Sequence, residues 1–296
     1  MAPSPISHDQ LAAFAAVVEA GSFTRAARAI HLSQPALSRR IAGLEDALAV
    51  TLLVRGPAGP TLTDAGRRVL AYVHSQRALE DELLGELQPS ARALRGEIRV
   101  VGPSSIVPAM VLPALSALVR EHPQVQLEAR TAGPDTMADL LRRGAVDFIV
   151  TDDATEDPTL VTVPVGMEEL VMIESLRPGP TDLYLDSNVA DRTTAWFFAE
   201  QPARARPRRY RRSFLQNEAG ILLGVELGLG RAVKPRQTIP AGSPVRILDD
   251  FRPVKKPFHL RYRAQRFYSR LHHLALDVLT TSIRAGLAAA LGAKRR

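Results

Sequence analysis

One short segment concentrates side chains suited to reading nucleic acid: Ser33, Gln34, Pro35, Ala36, Ser38, Arg39 and Arg40 fall on the first turns of a single helix pattern. A helix fits the major groove of a duplex, where short polar side chains reach base edges, arginine bonds guanine or phosphate, and N-terminal amides favour phosphate oxygens. A packed helical trio with a solvated charged face would carry the same residue types. The neighbouring elements must decide between the two.

Those elements are legible one by one. Ser7 with Gln10 makes a capping box, after which Leu11, Phe14, Val17 and Val18 repeat at helical spacing to about Ala20. Gly21 supplies the helix end. Ser22 then caps a second, short helix with Phe23, Ala26, Ala27 and Ile30 inward and Arg25 and Arg28 outward. Ser33 caps a third, with Pro35 in the first turn, where its missing amide costs nothing, and with Ala36, Leu37, Ile41, Leu44 and Leu48 inward. Ala26 and Ala27 are small enough for the second and third helices to cross closely, so the trio reads as a helix-turn-helix.

The stretch AFAAVVEAGSFTRAARAIHLSQPALSRRIAGLEDAL, with LLVR at 52–55 and LTDAG at 62–66, resembles the N-terminal domain of LysR-type transcriptional regulators. The resemblance implies an all-α winged helix-turn-helix over residues 1–63, with Leu52 to Thr63 as the wing and Arg55 on its basic strand. It adds Ser22, Thr24, Arg25 and Arg55 to the DNA-binding residues named above. Two positions depart from the family pattern. Ala49 stands where glycine usually ends a helix, so either it takes a left-handed conformation at about 1 kcal/mol or the turn differs. The wing tip GPAGP lacks the extra basic residue often found there, which weakens the wing's grip on DNA.

Thr63 is placed to cap a long helix in which Val69, Tyr72, Gln76, Leu79, Leu83 and Leu87 recur at three- and four-residue steps until Pro89. That is a coiled-coil seam, and it favours pairing with a second chain, with Gln76 able to fix the register. The resemblance implies the same use, in homodimers or in tetramers built as two dimers, with RNA polymerase as a further partner. This dimerisation helix and a hinge, from about Pro89 to Gly96 with Arg92 and Arg95, occupy residues 64–95.

Strand and helix patterns alternate through the rest. Ile98 to Val101, Val125 to Ala129 and Val146 to Val150 read as strands, with a helix broken at Pro113 and another ended by Gly144 between them. A second unit follows, with strands at Glu169–Glu174, Asp182–Leu185, Arg208–Phe214, near Ala232 and at Phe258–Arg263, and a helix from Asn217 to Leu227. A last helix, about Gln265 to Arg284, offers Phe267, Leu271, Leu274, Leu276 and Ile283 for burial. Alternation of this kind predicts an α/β fold with a parallel sheet and ligand sites beyond the strand ends.

LPALSALVREHPQVQLEARTAG, LLRRGAVDFIV and LLGVELGLGRAVKP resemble the effector-binding domain of the same family, which has a two-subdomain periplasmic-binding-protein-like fold. That resemblance implies subdomain I at 96–164 and 264–290, subdomain II at 165–263, chain crossings near Val163 to Gly166 and near Arg263, and a small-molecule effector in the cleft. Ser104, Ser105, Thr131, Thr151 and Asp152 from the first subdomain, and Asn217 and Glu218 from the second, are the effector-binding candidates; each also reads as a capping or solvated residue. Asn188 and Arg192 lie in a loop. The cluster Arg204 to Arg212 reads as an anion site or as an edge strand blunted by charge, with Arg209 and Arg211 on one face. It favours an anionic effector.

Composition excludes several classes. At 296 residues and 46% hydrophobic the chain is too long for one core, and no apolar run reaches the roughly 18 to 20 residues that span a bilayer. Asp9 and Glu19 sit where a signal sequence would avoid charge, so a cytoplasmic protein without membrane contact is expected. Lack of cysteine excludes disulfides and thiolate chemistry. The net charge of +7 lies mostly late in the chain and does not by itself indicate DNA. His272 and His273 are adjacent on a helix and cannot share a metal, and the tail Lys294 to Arg296 reads as disordered. No cofactor, metal or catalysis is expected. A solute-binding transport protein and an α/β enzyme are the other classes weighed; the helix-turn-helix speaks against the first, and the lack of G-x-S-x-G, P-loop or metal motifs against the second.

Overall fold

Side-chain caps set the first three helices in the computed structural model, which describes residues 6–56, 59–87, 94–265 and 267–292. The Ser7 amide donates to Gln10 Oε1 at 3.1 Å to open α1 (His8–Ala20), and Gly21 closes it at φ 61°. The Ser22 and Ser33 hydroxyls accept from the amides of Arg25 and Ala36 at 3.5 and 3.3 Å, opening α2 (Phe23–Ala29) and α3 (Gln34–Leu48). Phe14, Ala26, Ala27, Leu37 and Leu44 meet in one core. Ala49 adopts the left-handed conformation (φ 53°, ψ 34°), and the amides of Ala49 and Val50 return to the Asp46 and Glu45 carbonyls. Those bonds satisfy the helix end and offset the steric cost at Cβ. β1 (Leu53–Gly56) and β2 (Gly59–Leu62) pair antiparallel as the wing.

Thr63 Oγ1 accepts from the Gly66 amide at 2.9 Å and opens α4 (Asp64–Glu86). Val69 packs on the head's own core, so the exposed stripe begins only at Tyr72 and continues through Leu79, Leu83 and Leu87. Gln76 turns inside its own chain, donating to Glu80 Oε1 at 3.0 Å and lying 3.3 Å from His8 Nδ1. The expectations for the wing tip at Pro57 and Ala58, for Pro89 and Arg92, and for the tail Lys294 to Arg296 fall outside the described residues.

The first lobe of the remainder holds β3 (Arg95–Gly102), α5 (Leu112–Glu121), β4 (Gln124–Thr131), α6 (Pro134–Arg142) and β5 (Phe148–Thr151). β6 (Leu160–Ser175) leads into a second lobe of β7 (Leu183–Asp186), α7 (Thr193–Ala199), β8 (Arg211–Phe214), α8 (Glu218–Glu226), β9 (Ala232–Pro235) and β10 (Val245–Ile247). β11 (Val254–Arg263) returns, and α9 (Arg270–Gly292) follows. The main ladder runs β10-β6-β11-β5-β3-β4, with β9 also on β6. β3, β4 and β5 are parallel as expected, but β11 is antiparallel to β5 and β6, so the sheet is mixed. The reason is directional: β11 re-enters the first lobe travelling back from the second.

β6 and β11 are hydrogen-bonded partners, so they change lobes at the same level, Gly166 opposite Phe258 with a register shift at Phe258/His259. The return therefore lies at that bulge and not near Arg263. Other departures are local. Pro113 sits in the first turn of α5, and the irregularity precedes it as a wide turn at Val107–Val111. α7 forms in a segment whose sequence shows no helical pattern of its own. Arg208 and Arg209 precede β8, so the inferred alternation of arginines does not arise. α9 buries Leu271, Ala275, Leu279, Ile283 and Leu287 at four-residue steps; Phe267 and Leu276 are half-buried, and Leu274 faces solvent. Among the described residues no helix is long and apolar enough to cross a membrane.

Ala49→Gly tests the strain at the end of α3. Removing Cβ at φ 53° should stabilise the protein by about 1 kcal/mol, less the added freedom of the unfolded chain. A urea midpoint that falls would show that the turn carries no strain.

Candidate nucleic-acid interface and effector cleft

The outer face of α3 is open while its inner face, Leu37, Ile41 and Leu44, is buried. Ser33, Gln34, Pro35 and Arg39 are exposed, and Ala36, Ser38 and Arg40 are half-buried at the edge. Thr24, from α2, brings its hydroxyl to 3.4 Å from Gln34 Oε1, so the two helices present adjoining polar groups. Other members of the set are tethered within the head. Arg25 donates to the Ala20 carbonyl from Nε and Nη2 at 3.1 and 2.6 Å, Arg40 lies 3.6 Å from Asp9, and Arg55 sits 4.6 Å above the Phe23 ring. Ser22 and Ser33 use their oxygens as caps. Among the described residues Arg39 has no carboxylate partner, which leaves its guanidinium free for a phosphate or a guanine edge.

The surroundings of the candidate effector residues are more charged than the sequence indicated. Ser104 is exposed and Ser105 half-buried in the turn after β3, and Thr131 is exposed at the end of β4. Thr151 is buried, and its hydroxyl accepts from the Asp153 amide at 3.1 Å. Asp152 receives Lys256 Nζ at 3.1 Å. In the second lobe Asn217 caps α8 by accepting from the Gly220 amide at 2.8 Å, and Glu218 holds the buried Lys234. Thr151, Asn217 and Glu218 thus have internal partners already.

Three residues absent from the sequence reading complete this cluster. Lys256 stands directly across the ladder from Glu168 and places its ammonium 4.4 Å above the Trp196 ring. Glu168 is buried and accepts from Gln237 Nε2 at 2.6 Å. Burial pushes its carboxyl up to about 7, against the pull of Gln237 and Lys256. The signal was available: Glu168 and Glu169 interrupt an apolar strand, where a charged pair must find partners, and Glu169 finds Arg236 at 2.5 Å. The arginine cluster is divided: Arg204, Arg208 and Arg209 are exposed, while the other three are held within the lobe. Arg211 pairs with Asp182 at 2.9 Å, Arg212 with Asp186 at 2.5 Å, and Arg206 donates to the Ala199 and Gln201 carbonyls at 2.7 Å.

A DNA-reading head joined to a two-lobed ligand domain defines a ligand-responsive transcription regulator. Residues 8–67 match the model of bacterial regulatory helix-turn-helix proteins of the lysR family, and residues 91–284 match the LysR substrate binding domain. The probable HTH-type transcriptional regulator LrrA of Synechococcus elongatus is 30% identical over 241 residues, 77% of this chain and 80% of its own. Full-length LysG of Corynebacterium glutamicum with bound effector Arg superposes at a TM-score of 0.69 with 21% identity, over 95% of this chain and 99% of that one. ArgP of Mycobacterium tuberculosis does so at 0.69 with 25% identity, over 94% and 97%. This chain belongs to the LysR family of transcriptional regulators.

The raised carboxyl of Glu168 has a signed consequence. Between pH 4.5 and about 7 the folded protein keeps a proton that the unfolded chain has released, so this residue's contribution to stability falls as pH rises through that window. Thermal melts of Glu168→Gln should lose that slope relative to the unmodified protein; identical pH profiles would place the carboxyl at its ordinary value.

Proposed function

We propose that the chain works in the cytoplasm as a homodimer or tetramer that reads a partly palindromic DNA site through paired α3 helices and responds to a small molecule held between its lobes. The observation that carries this reading is the two-sided α3: an apolar face locked in the head and a free face from Ser33 to Arg40 shaped for the major groove. The exposed stripe from Tyr72 to Leu87 on α4 supplies the pairing surface. Binding, with no catalysis and no cofactor beyond the effector, is the mode of action we assign. RNA polymerase at the target promoter is the partner through which occupancy would be read out.

The effector would contact Ser104, Ser105, Thr131 and Asp152 from one lobe, with Lys256 and Glu168 on the crossing strands and Trp196 on α7. The expectation of an anionic effector rests on an arginine cluster of which Arg206, Arg211 and Arg212 are engaged within the second lobe. Asp152 and Glu168 beside Lys256 instead favour a molecule bearing an amino group as well as an acid, its ammonium taking the place of Lys256 over Trp196. The Corynebacterium neighbour with bound arginine fits that chemistry.

Two experiments test the reading. Arg39→Ala should weaken binding to a footprinted operator by about 1 to 3 kcal/mol and lower its salt dependence; anisotropy titrations unchanged at low and moderate salt would remove Arg39 from the contact surface. Thermal shifts across amino acids, polyamines and dicarboxylates should show stabilisation by compounds carrying an amino group. Stabilisation by dicarboxylates alone would reverse the assignment of effector charge.

A further inference from the structure

A second cavity lies outside the cleft, between the head and the first lobe. Its volume is about 790 Å³, within the range that accepts drug-sized ligands. The head supplies an apolar wall, Val18, Leu53, Leu62 and Leu70, and the lobe supplies Arg142, Arg143 and Arg263. Two helix-ending glycines make room for these guanidinium groups. A Cβ on Gly144 (φ 72°) would collide with Arg263 and His74, and one on Gly21 (φ 61°) would collide with Arg143.

The charges around this cavity do not balance. Arg67 pairs with Asp64, Arg142 with Asp157 at 3.8 Å, and Arg143 with Asp139. Among the described residues Arg263 has no carboxylate within salt-bridge distance; its Nη1 donates to His74 Nε2 at 2.9 Å. His74 is neutral in this contact, since burial and then the charges of Arg263, Arg99 and Arg77 hold its pKa well below 6.5. A neutral acceptor therefore stands beside a cation that burial disfavours, with Asp147 and Glu19 opposing that effect only from beyond salt-bridge distance. Arg143 Nε is also buried without an acceptor. An unanswered Arg143 Nε–H and an Arg263 guanidinium without a carboxylate at salt-bridge distance on one wall, and hydrocarbon at the edge of the head's core on the other, specify what would fill the space.

We propose that this cavity binds a small organic anion with an apolar body, such as an aromatic carboxylate, its acid group on Arg263 and Arg143 and its apolar part against Val18, Leu53, Leu62 and Leu70. The site is separate from the effector cleft and does not depend on it. Because its walls come from the DNA-binding head and from the effector domain, an occupant fixes the orientation of one on the other. It thereby couples a second chemical signal to the spacing of the heads on DNA.

Calorimetric titration of the full-length protein with 1-naphthoate, and with the neutral 1-naphthamide, tests this. The carboxylate should bind, and the amide should bind at least about tenfold more weakly, ~1.4 kcal/mol. Arg263→Met should cost the carboxylate a similar factor. Ala71→Trp, which fills the cavity from an exposed position on α4 and leaves every charge in place, should do the same with an unchanged circular dichroism spectrum. Lys256→Met, altering the cleft, should leave naphthoate affinity as it was. The proposal is overturned by absence of naphthoate binding, by equal affinity for the amide, by full binding to Ala71→Trp, or by a loss confined to Lys256→Met.

Discussion

The pairing of β6 with β11 is the constraint on which the effector domain depends. These two strands leave and re-enter the first lobe side by side, bonded from Leu160/Arg263 to Leu170/Val254. Ladder partners cannot slide without flipping every side chain to the opposite face. The lobes are therefore joined by a double strand with one irregularity, at Phe258/His259, and that is where bending between them costs least. The same register sets Glu168 against Lys256, so these charges are positioned by backbone hydrogen bonds and not by flexible loops.

Charge placement follows from that rigidity. Buried ionic groups persist only when paired and hydrogen-bonded, and the second lobe obeys this closely: Lys234 with Glu218, Arg236 with Glu169, Arg212 with Asp186. Two places depart from it. Glu168 keeps a raised carboxyl at the crossing strands, and among the described residues Arg263 has an imidazole and no carboxylate at bonding distance at the junction with the head. Both lie where separate bodies of the fold meet, which is where a ligand is able to complete the set.

The head works by the opposite device, local chemistry repeated at every helix end. Caps at Ser7, Ser22 and Ser33 and small residues at the α2–α3 crossing fix α3, with charge adding only the Arg40–Asp9 pair to α1 and the Glu45 carboxylate on the Leu52 and Leu53 amides. His31 and Ala49 accept positive φ at the turns flanking α3, a modest strain placed at both ends of the helix that must be held most exactingly against DNA.

Much of this was written in the chain itself. Caps, glycine stops and three- to four-residue apolar steps act over a few residues, so α1 to α4, the wing, most strands and the open face of α3 follow from local sequence, and the motif density carried the family. Direction and partnership did not. The antiparallel return of β11, the level of the lobe crossing, the inward turn of Gln76, the outward turn of Leu274 and the shortened β8 all depend on which distant segment lies alongside. The Glu168, Lys256 and Trp196 cluster joins three separate elements, and the Arg263–His74 contact joins residues 189 positions apart. Local propensity contains no term for such distances. Only packing, which decides where each buried charge finds or lacks an opposite, brought Glu168, Lys256 and Trp196 together and set Arg263 against an imidazole.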